Sequence, residues 1–573
     1  MPEKSRTKWS PPWLPQRHEH SEGHLFARLV AHFLVRLVRG GHEAESTEFE
    51  FGAGPLLGIL AAPGAFSALL LFQKYSSLQD FILRRRHSDI YSASIPDKYF
   101  FLSLAMAISG VVTAIKWDKI LPDAQDYLNL APLPLAPGAI LRANAAAIAI
   151  AVVIFAVDVN GLSSVLFPMV LAAYAQLSFA ALLQFAMAHA ACLILASLFA
   201  FCAVFALLGV LAAVLPRQAF QASSSWVRGA VLTASVMLLF TGPRAAATFL
   251  PPMWFLGLEQ KLQNHVTPPM DRLAHEALLA QGAAFALMIV SYAASYRRRF
   301  ASVLEGRPRP SGQRIFAALL AALDLFSAGA GNFERACHRF AVRAILRNEA
   351  HRICIAVAAG LGLVLGLERA SGSSNASRFA APLTAAYLLI LGLRIAFELP
   401  AGVSANWLFR AVLNPRENEP LGAARRVIAA FLALVVLLPA FAWSWWRWNL
   451  STALVETLYV AALSMCLTEI LLAGYRKIPL TCPMPGFREN LLALCVIQIT
   501  GFEIFTEGGA RMEDAMFRAP WMFAIIPVLM FAAWRWNQAR LKDARDAGEL
   551  EEGVTFESGR RPAVEVLNLF DAG

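Results

Sequence analysis

The sequence is short of charge. Only 16% of its 573 residues are Asp, Glu, Lys or Arg, where a soluble chain of this length covers itself with about a quarter. That excludes a large water-exposed globule. A nucleotide-cradling loop of the form G-x-x-x-x-G-K-[ST] is also missing. The glycines gather in apolar runs, and Gly306 to Gly312 lacks the lysine and the spacing, so ATP hydrolysis by that motif is not available here. The seven cysteines form no paired metal-ligand pattern. Cys192, Cys202, Cys354, Cys466 and Cys495 sit in apolar runs, where cysteine behaves as a small hydrophobe. No carboxylate pair, serine–histidine arrangement or histidine cluster can be set on one helix face. The chain is therefore read as no enzyme, with no cofactor and no metal. Met1 to Gly23 lacks an apolar core followed by small residues, so no cleaved signal peptide is expected.

What the sequence has is apolar length. Hydrophobic residues make up 57% of it, gathered into blocks such as Pro55 to Phe72, Ala190 to Leu215, Val427 to Trp445 and Leu454 to Leu472. A bilayer span needs about 20 residues at 1.5 Å rise each. The fold class is all-α, a polytopic transmembrane bundle. The blocks give about twelve spans in two six-span halves, with thirteen as the rival count. The interrupted stretch Asn160 to Ala188 is the ambiguous one. It is read as an outer helical excursion after a short third span, Ala145 to Val157.

The net charge of +10 sits in the linkers, as expected beside anionic headgroups on the cytoplasmic side. Its dispersal between spans offers nothing to nucleic acid. From His24 to Arg39, Leu25, Leu29 and Phe33 share one helical face while Arg28, His32, Arg36 and Arg39 take the other, which predicts a helix lying in the interface. A second such helix is expected where Arg335, Arg339, Arg343 and Arg347 recur every four residues and Phe333, Ala336, Phe340 and Ala344 line a neighbouring face. The resulting division is a tail with connecting helix (1–49), a first half (50–300), a basic linker with the second amphipathic helix (301–352), a second half (353–535) and a cytoplasmic tail (536–573). Arg84, Arg85 and Arg86 run against the scheme, because it places their loop outside.

The inner segment 116–144 contains Asp118, Asp123 and Asp126 among Trp117, Leu121 and Tyr127. Pro132, Pro134 and Pro137 stiffen it, and Asp123 suits the cap of a short helix. A rigid amphipathic element at the membrane surface suits contact with a soluble partner, although an ordered loop held by its own prolines fits the pattern equally. Two later inner stretches have the same flavour, one around Asn406, Trp407 and Arg410, the other around Lys477 and Pro479.

Three of these stretches carry a resemblance. The W-D-x-x-x-P-D-x-x-D-x-x-x-L-x-P-L-P pattern of Trp117 to Pro134, the A-N-W-[IL]-F-R pattern of Ala405 to Arg410 and the K-I-P-[FL]-T-C pattern of Lys477 to Cys482 resemble the large two-half permeases of the ABC-2 type exporter superfamily, in a poorly characterised bacterial subgroup. Leu480 stands where phenylalanine is usual. The resemblance implies a coupling helix after the second span, an outer helical excursion before the last span of each half, and a separate P-loop ATPase as partner. It also implies export of a substrate that the motifs do not name, across the bacterial inner membrane, with a homodimer allowed but not required.

The main alternative is an ion-coupled secondary transporter, and a membrane-embedded enzyme is the remote one. The former needs ionisable residues deep in the bilayer, where their cost marks them as functional. Glu469 is the best placed, followed by Asp158, Arg394 and Glu503, while His189 and Gln184 read as helix-surface residues. An even span count places both termini in the cytoplasm. Engineered cysteines within residues 1–48 and 535–573 should therefore resist an impermeant thiol reagent added outside, and strong labelling of either would sink the twelve-span scheme.

Overall fold

The computed structural model describes residues 22–39, 53–84, 93–120, 137–175, 178–243, 248–265, 267–302, 313–401, 420–473, 475, 478–481, 491–524 and parts of 527–539. Among them every regular element is helical. A bilayer offers no water to bond free N–H and C=O groups, and helices satisfy their own. Nine helices among the described residues are long and apolar enough to cross a membrane, which makes the chain a polytopic, all-helical membrane protein.

The first amphipathic helix, α1 (Glu22–Arg39), forms as expected. Leu29 and Phe33 are buried against Ala143 and Ala147, while Leu25 and Phe26 remain exposed. There follow α2 (Ala53–Arg84), α3 (Ile95–Ile115), the one-turn α4 (Trp117–Ile120), α5 (Pro137–Ala175), α6 (Phe179–Val214), α7 (Arg217–Met237), α8 (Pro251–Leu262) and α9 (Pro268–Ser302). Helix α5 corrects the sequence reading. The short third span and most of its supposed outer excursion are one continuous helix of 39 residues. The polar residues that suggested a break are satisfied inside the bundle. Asn160 donates to the Ala156 carbonyl and to Ser197 Oγ on α6, each at 2.8 Å, and Ser163 donates to the Asn160 carbonyl. A second correction concerns the stretch with Glu259, Lys261, Asp271 and Arg272, whose polar composition reads from sequence as a long loop before the sixth span. Glu259 and Lys261 instead lie on helix α8, buried along most of its length and packed on α3, α6 and α9, and Asp271 and Arg272 lie at the start of α9.

The second half opens with α10 (Gln313–Asp324), α11 (Asn332–Arg347), α12 (Glu349–Ala370) and α13 (Asn375–Glu398). Helix α11 is amphipathic as expected, but its buried stripe is Cys337, His338, Ala341, Val342 and Ile345, and Ala336 is exposed. Next come α14 (Pro420–Leu432), a π turn (Ala433–Leu437), α15 (Leu438–Arg447), α16 (Leu450–Leu471), α17 (Leu491–Glu503), a second π turn (Ile504–Gly508) and α18 (Gly509–Arg518). Pro439 has no N–H to donate and its ring crowds the preceding turn. The widened π turn just before it absorbs that conflict without ending the helix. Thr506 to Arg518, which reads from its polar sequence as a long outer loop, is instead the end of a π turn and a helix whose Gly509, Ala510, Glu513 and Met516 are buried.

The two halves meet where α7 packs on α12. A Cβ on Gly229 would lie 2.3 Å from Ala356 Cβ, and one on Gly360 would lie 2.4 Å from Thr233 Oγ1. Arg228 Nη1 crosses the same seam to Glu349 Oε1 at 2.6 Å. Small residues let helix backbones approach where lipid supplies no hydrophobic drive to associate. Gly362, Gly366 and Gly392 pack closely too, against Ala385, Ala381 and Ala358. Gly229→Val should therefore wedge the seam open and cost about 1–3 kcal/mol. A lowered melting temperature of the detergent-purified protein would register it, with Gly282→Val, which meets nothing, as the neutral comparison.

Candidate functional site

Among the described residues, Lys98 and the most deeply buried acids, Glu259, Glu456 and Glu513, lie in two places. In the first half, Lys98 near the start of α3, His189 on α6 and Glu259 on α8 are each 0% exposed. His189 Nδ1 lies 3.0 Å from Glu259 Oε1, Gln263 Nε2 donates to the same oxygen at 3.1 Å, and Lys98 Nζ donates to Gln263 Oε1 at 2.7 Å. The ammonium also sits 4.9 Å from the centre of the Phe185 ring, and the imidazole is ringed by Phe101, Phe167 and Phe185. Burial alone would raise the Glu259 carboxyl; His189, Lys98 and Gln263 overcome that and hold it below its ordinary range. The cluster thus sets an ammonium and an imidazole around one carboxylate, from three helices. At the neighbouring end of α2, Lys74 Nζ meets Asp97 Oδ1 at 2.6 Å and Tyr75 donates to Asp97 Oδ2 at 2.6 Å. Both clusters tie helices together. In each, a lysine stands beside a carboxylate.

The second half differs. Glu456 on α16 is 2% exposed and Glu513 on α18 is 0% exposed, and the two lie close enough for their charges to act on one another. Ser444 on α15 bonds Glu456. Glu456 Oε2 and both Glu513 oxygens have no hydrogen-bond partner among the described residues. The hydroxyl of Tyr459, next to Glu513, is committed to the Gly509 carbonyl at 2.7 Å. Glu456 also lines a cavity of about 410 Å³ bounded by α12, α13 and the first π turn.

Of the residues singled out from sequence, Glu469 is the intramembrane acid with a plain assignment. Arg425 Nε reaches its Oε1 at 2.7 Å, so it is one half of an ion pair between α14 and α16. Arg394 pairs with Glu398 and donates to the Leu471 carbonyl. Trp117, expected as an outward anchor of the coupling segment, is 1% exposed and packs inward with Ile120, Phe205, Leu208 and Tyr292. The Asp118 side chain, Leu121, Asp123, Asp126 and Tyr127 lie outside the described residues, as do Asn406, Trp407, Arg410 and Lys477. Pro479 is buried in a segment that tucks under α13, where Leu480 N–H donates to the Phe397 carbonyl and Ala401 N–H to the Leu480 carbonyl. Leu480 takes φ +70 to make both bonds, a left-handed conformation that costs a branched side chain about 1–2 kcal/mol.

Sequence reasoning passed over Lys98, Glu259, Glu456 and Glu513. Three of them stand in or beside stretches read as polar loops, where a charged residue calls for no explanation. Glu456 had a signal. It lies in the run Leu454 to Leu472 with Glu469, but only two residues from the run's start, where an acid looks like a helix end. Asparagine 449 caps α16 further out, which moves Glu456 about 9 Å inside at 1.5 Å per residue.

The Glu259 cluster sets a pH limit on stability. A carboxyl held below its ordinary value of 4.5 stabilises the fold above that value and loses its contribution as pH falls through the lower folded value. Melting temperature should thus drop below pH 4.5 in the wild type. At neutral pH, Glu259→Ala should cost about 3–5 kcal/mol by leaving Lys98 buried without its counter-charge. A variant that melts like wild type at neutral pH would show that the cluster does not hold the helices.

Compared with known proteins, the chain matches no family model, no curated protein and no solved structure. The sequence and the helices by themselves establish a polytopic, all-helical membrane protein whose architecture fits transport.

Proposed function

We propose that the chain is the membrane-spanning permease of an ATP-driven exporter in the bacterial inner membrane, of the ABC-2 type its motifs resemble. It works with a separate P-loop ATPase and has no hydrolytic activity of its own. The observation that carries this reading is the recurrence of one device at the same place in both halves. Helix α8 lies between α7 and α9, and α18 lies between α17 and the apolar stretch 521–534. Each is short and buried, and each follows its half's amphipathic helix, α1 or α11, by a comparable succession of long helices. Counting α2, α17 and the stretch 521–534 with the nine gives the twelve spans of two six-span halves. A short buried helix before the last span suits a transporter whose halves close against one another on the outer side while a partner drives them from within.

The segment that begins at α4 is the proposed site of that drive. Buried Trp117 fixes its root in the bundle, so a push on Asp118, Asp123 and Asp126 would be delivered to α3 and α5. Exposed ion pairs are each worth about 0–1 kcal/mol, so single reversals should do little. Reversing Asp118, Asp123 and Asp126 together to lysine should lower ATPase co-purification and partner-dependent ATP turnover several-fold, with melting temperature unchanged. Trp117→Ala should do the opposite and cost about 3–5 kcal/mol of stability. If the triple variant keeps full coupled turnover, the segment is not the coupling element. Transport that persists after the ATPase is deleted would overturn the exporter reading in favour of ion coupling, the alternative to which the buried Glu456 and Glu513 lend support.

A further inference from the structure

The cavity beside Glu456 is built for a ligand with one positive charge. Its walls are apolar and small: Gly362 and Gly366 on α12, Ala381 and Ala385 on α13, and Ala440 with Trp443 on α15. At about 410 Å³ it falls within the range of small-molecule sites, roughly 300–1,000 Å³. Among its lining residues Glu456 alone is ionisable, and its Oε2 has no partner among the described residues. Behind it stands Glu513, fully buried and with neither oxygen bonded.

The charge balance of this region is what asks for a cation. Most arginines on the surrounding helices are committed elsewhere, and Arg352 stands in the first turn of α12, away from the cavity residues of that helix, which begin at Ala359. Arg369 pairs with Glu507, Arg394 with Glu398, Arg425 with Glu469 and Arg518 with Asp514, while Arg378 donates to the Gly372 carbonyl. Arg447 and Arg511 face outward. Two carboxyl groups thus share a dry environment without a basic side chain assigned to either, in contrast to Lys98 beside Glu259 in the first half. Burying ionisable groups unpaired is costly, and in a membrane protein such groups mark binding sites.

The surroundings choose the kind of cation. A hydrated metal ion would find the Glu456 carboxyl and the Ser444 hydroxyl on one side and only apolar side chains elsewhere, and no group of three His, Cys, Asp or Glu that could hold a metal occurs among the described residues. A cation that carries its own apolar body matches all the walls at once. The indole of Trp443, 43% exposed at the cavity's edge, adds a ring face that attracts positive charge. The rim also fixes the route of entry. Leu363, Leu367, Val435 and Trp443 are exposed on helices that cross the membrane, so the opening faces lipid.

We propose that this cavity binds a lipophilic organic monocation that enters from the bilayer, with Glu456 as its counter-ion. The inference concerns equilibrium binding alone and does not rest on the exporter reading.

Tetraphenylphosphonium is the probe, titrated against full-length protein in nanodiscs of zwitterionic lipid with empty discs subtracted. Tetraphenylborate, of the same shape and opposite charge, is the comparison. Saturable binding of one tetraphenylphosphonium per chain is expected, at least tenfold weaker in Glu456→Gln and at least tenfold weaker in Ala440→Trp, which fills the cavity and keeps every charge. Tetraphenylborate should show no saturable binding. Equal binding of the two probes, wild-type affinity in either variant, or no binding above empty discs would each overturn the proposal. The last result would leave the two carboxyls as a place for a proton only. Should Glu456→Gln melt early, Ala440→Trp decides the matter alone.

Discussion

A charge inside this bundle has no water to turn to, and the arrangement of helices follows from that. The backbone meets the constraint by making every regular element among the described residues a helix. Side chains meet it by pairing across helices: Lys74 with Asp97, Lys98 and His189 around Glu259, Arg228 with Glu349, Arg425 with Glu469. Each pair joins helices that the sequence keeps apart, so the polar contacts decide which apolar faces meet. Apolar surface by itself could not, because lipid tails receive a leucine as readily as a neighbouring helix does.

Close approach supplies the rest of the specificity. At the seam between the halves, Gly229 and Gly360 allow α7 and α12 to touch through Ala356 and Thr233, and Arg228 with Glu349 fixes the register at one end. Shape and charge are thus set on the same pair of helices, and a side chain added at Gly229 disturbs both at once.

Helix content and the amphipathic faces of α1 and α11 were legible in the sequence, because a 3.6-residue period and long apolar runs are local properties. What was not legible depends on partners far along the chain. Asn160 looked like an interruption until Ser197 was placed beside it, and α5 then ran straight through. Glu259 looked like a loop residue until Lys98 and His189 surrounded it. Trp117 shows the converse error. An aromatic within an acidic inner segment suggested an outward contact, but Phe205 and Tyr292 from two other helices cover it. Glu469 was found as an intramembrane acid, and only the position of Arg425 showed it to be neutralised.

The unequal chemistry of the two short buried helices bears on how such a molecule could move. Helix α8 is held by a bonded cluster of opposite charges, and drawing it away from α3 and α6 would separate an ammonium from a carboxylate in a medium that screens neither. Among the described residues helix α18 has no such buried lock. It is held by the Tyr459 bond to the Gly509 carbonyl, by the stack of Phe517 on Phe379 and, at the π turn before it, by the Arg369–Glu507 pair, while Glu513 and Glu456 repel whenever both are ionised. The π turns next to α15 and α18 leave backbone bonds that can shift register by one residue more cheaply than a regular helix. A positive ligand at Glu456 would remove the repulsion and draw these elements together. Its binding would then change the balance between two packings of the helices around Glu456, while α8 stays held by its bonds to His189 and, through Gln263, to Lys98.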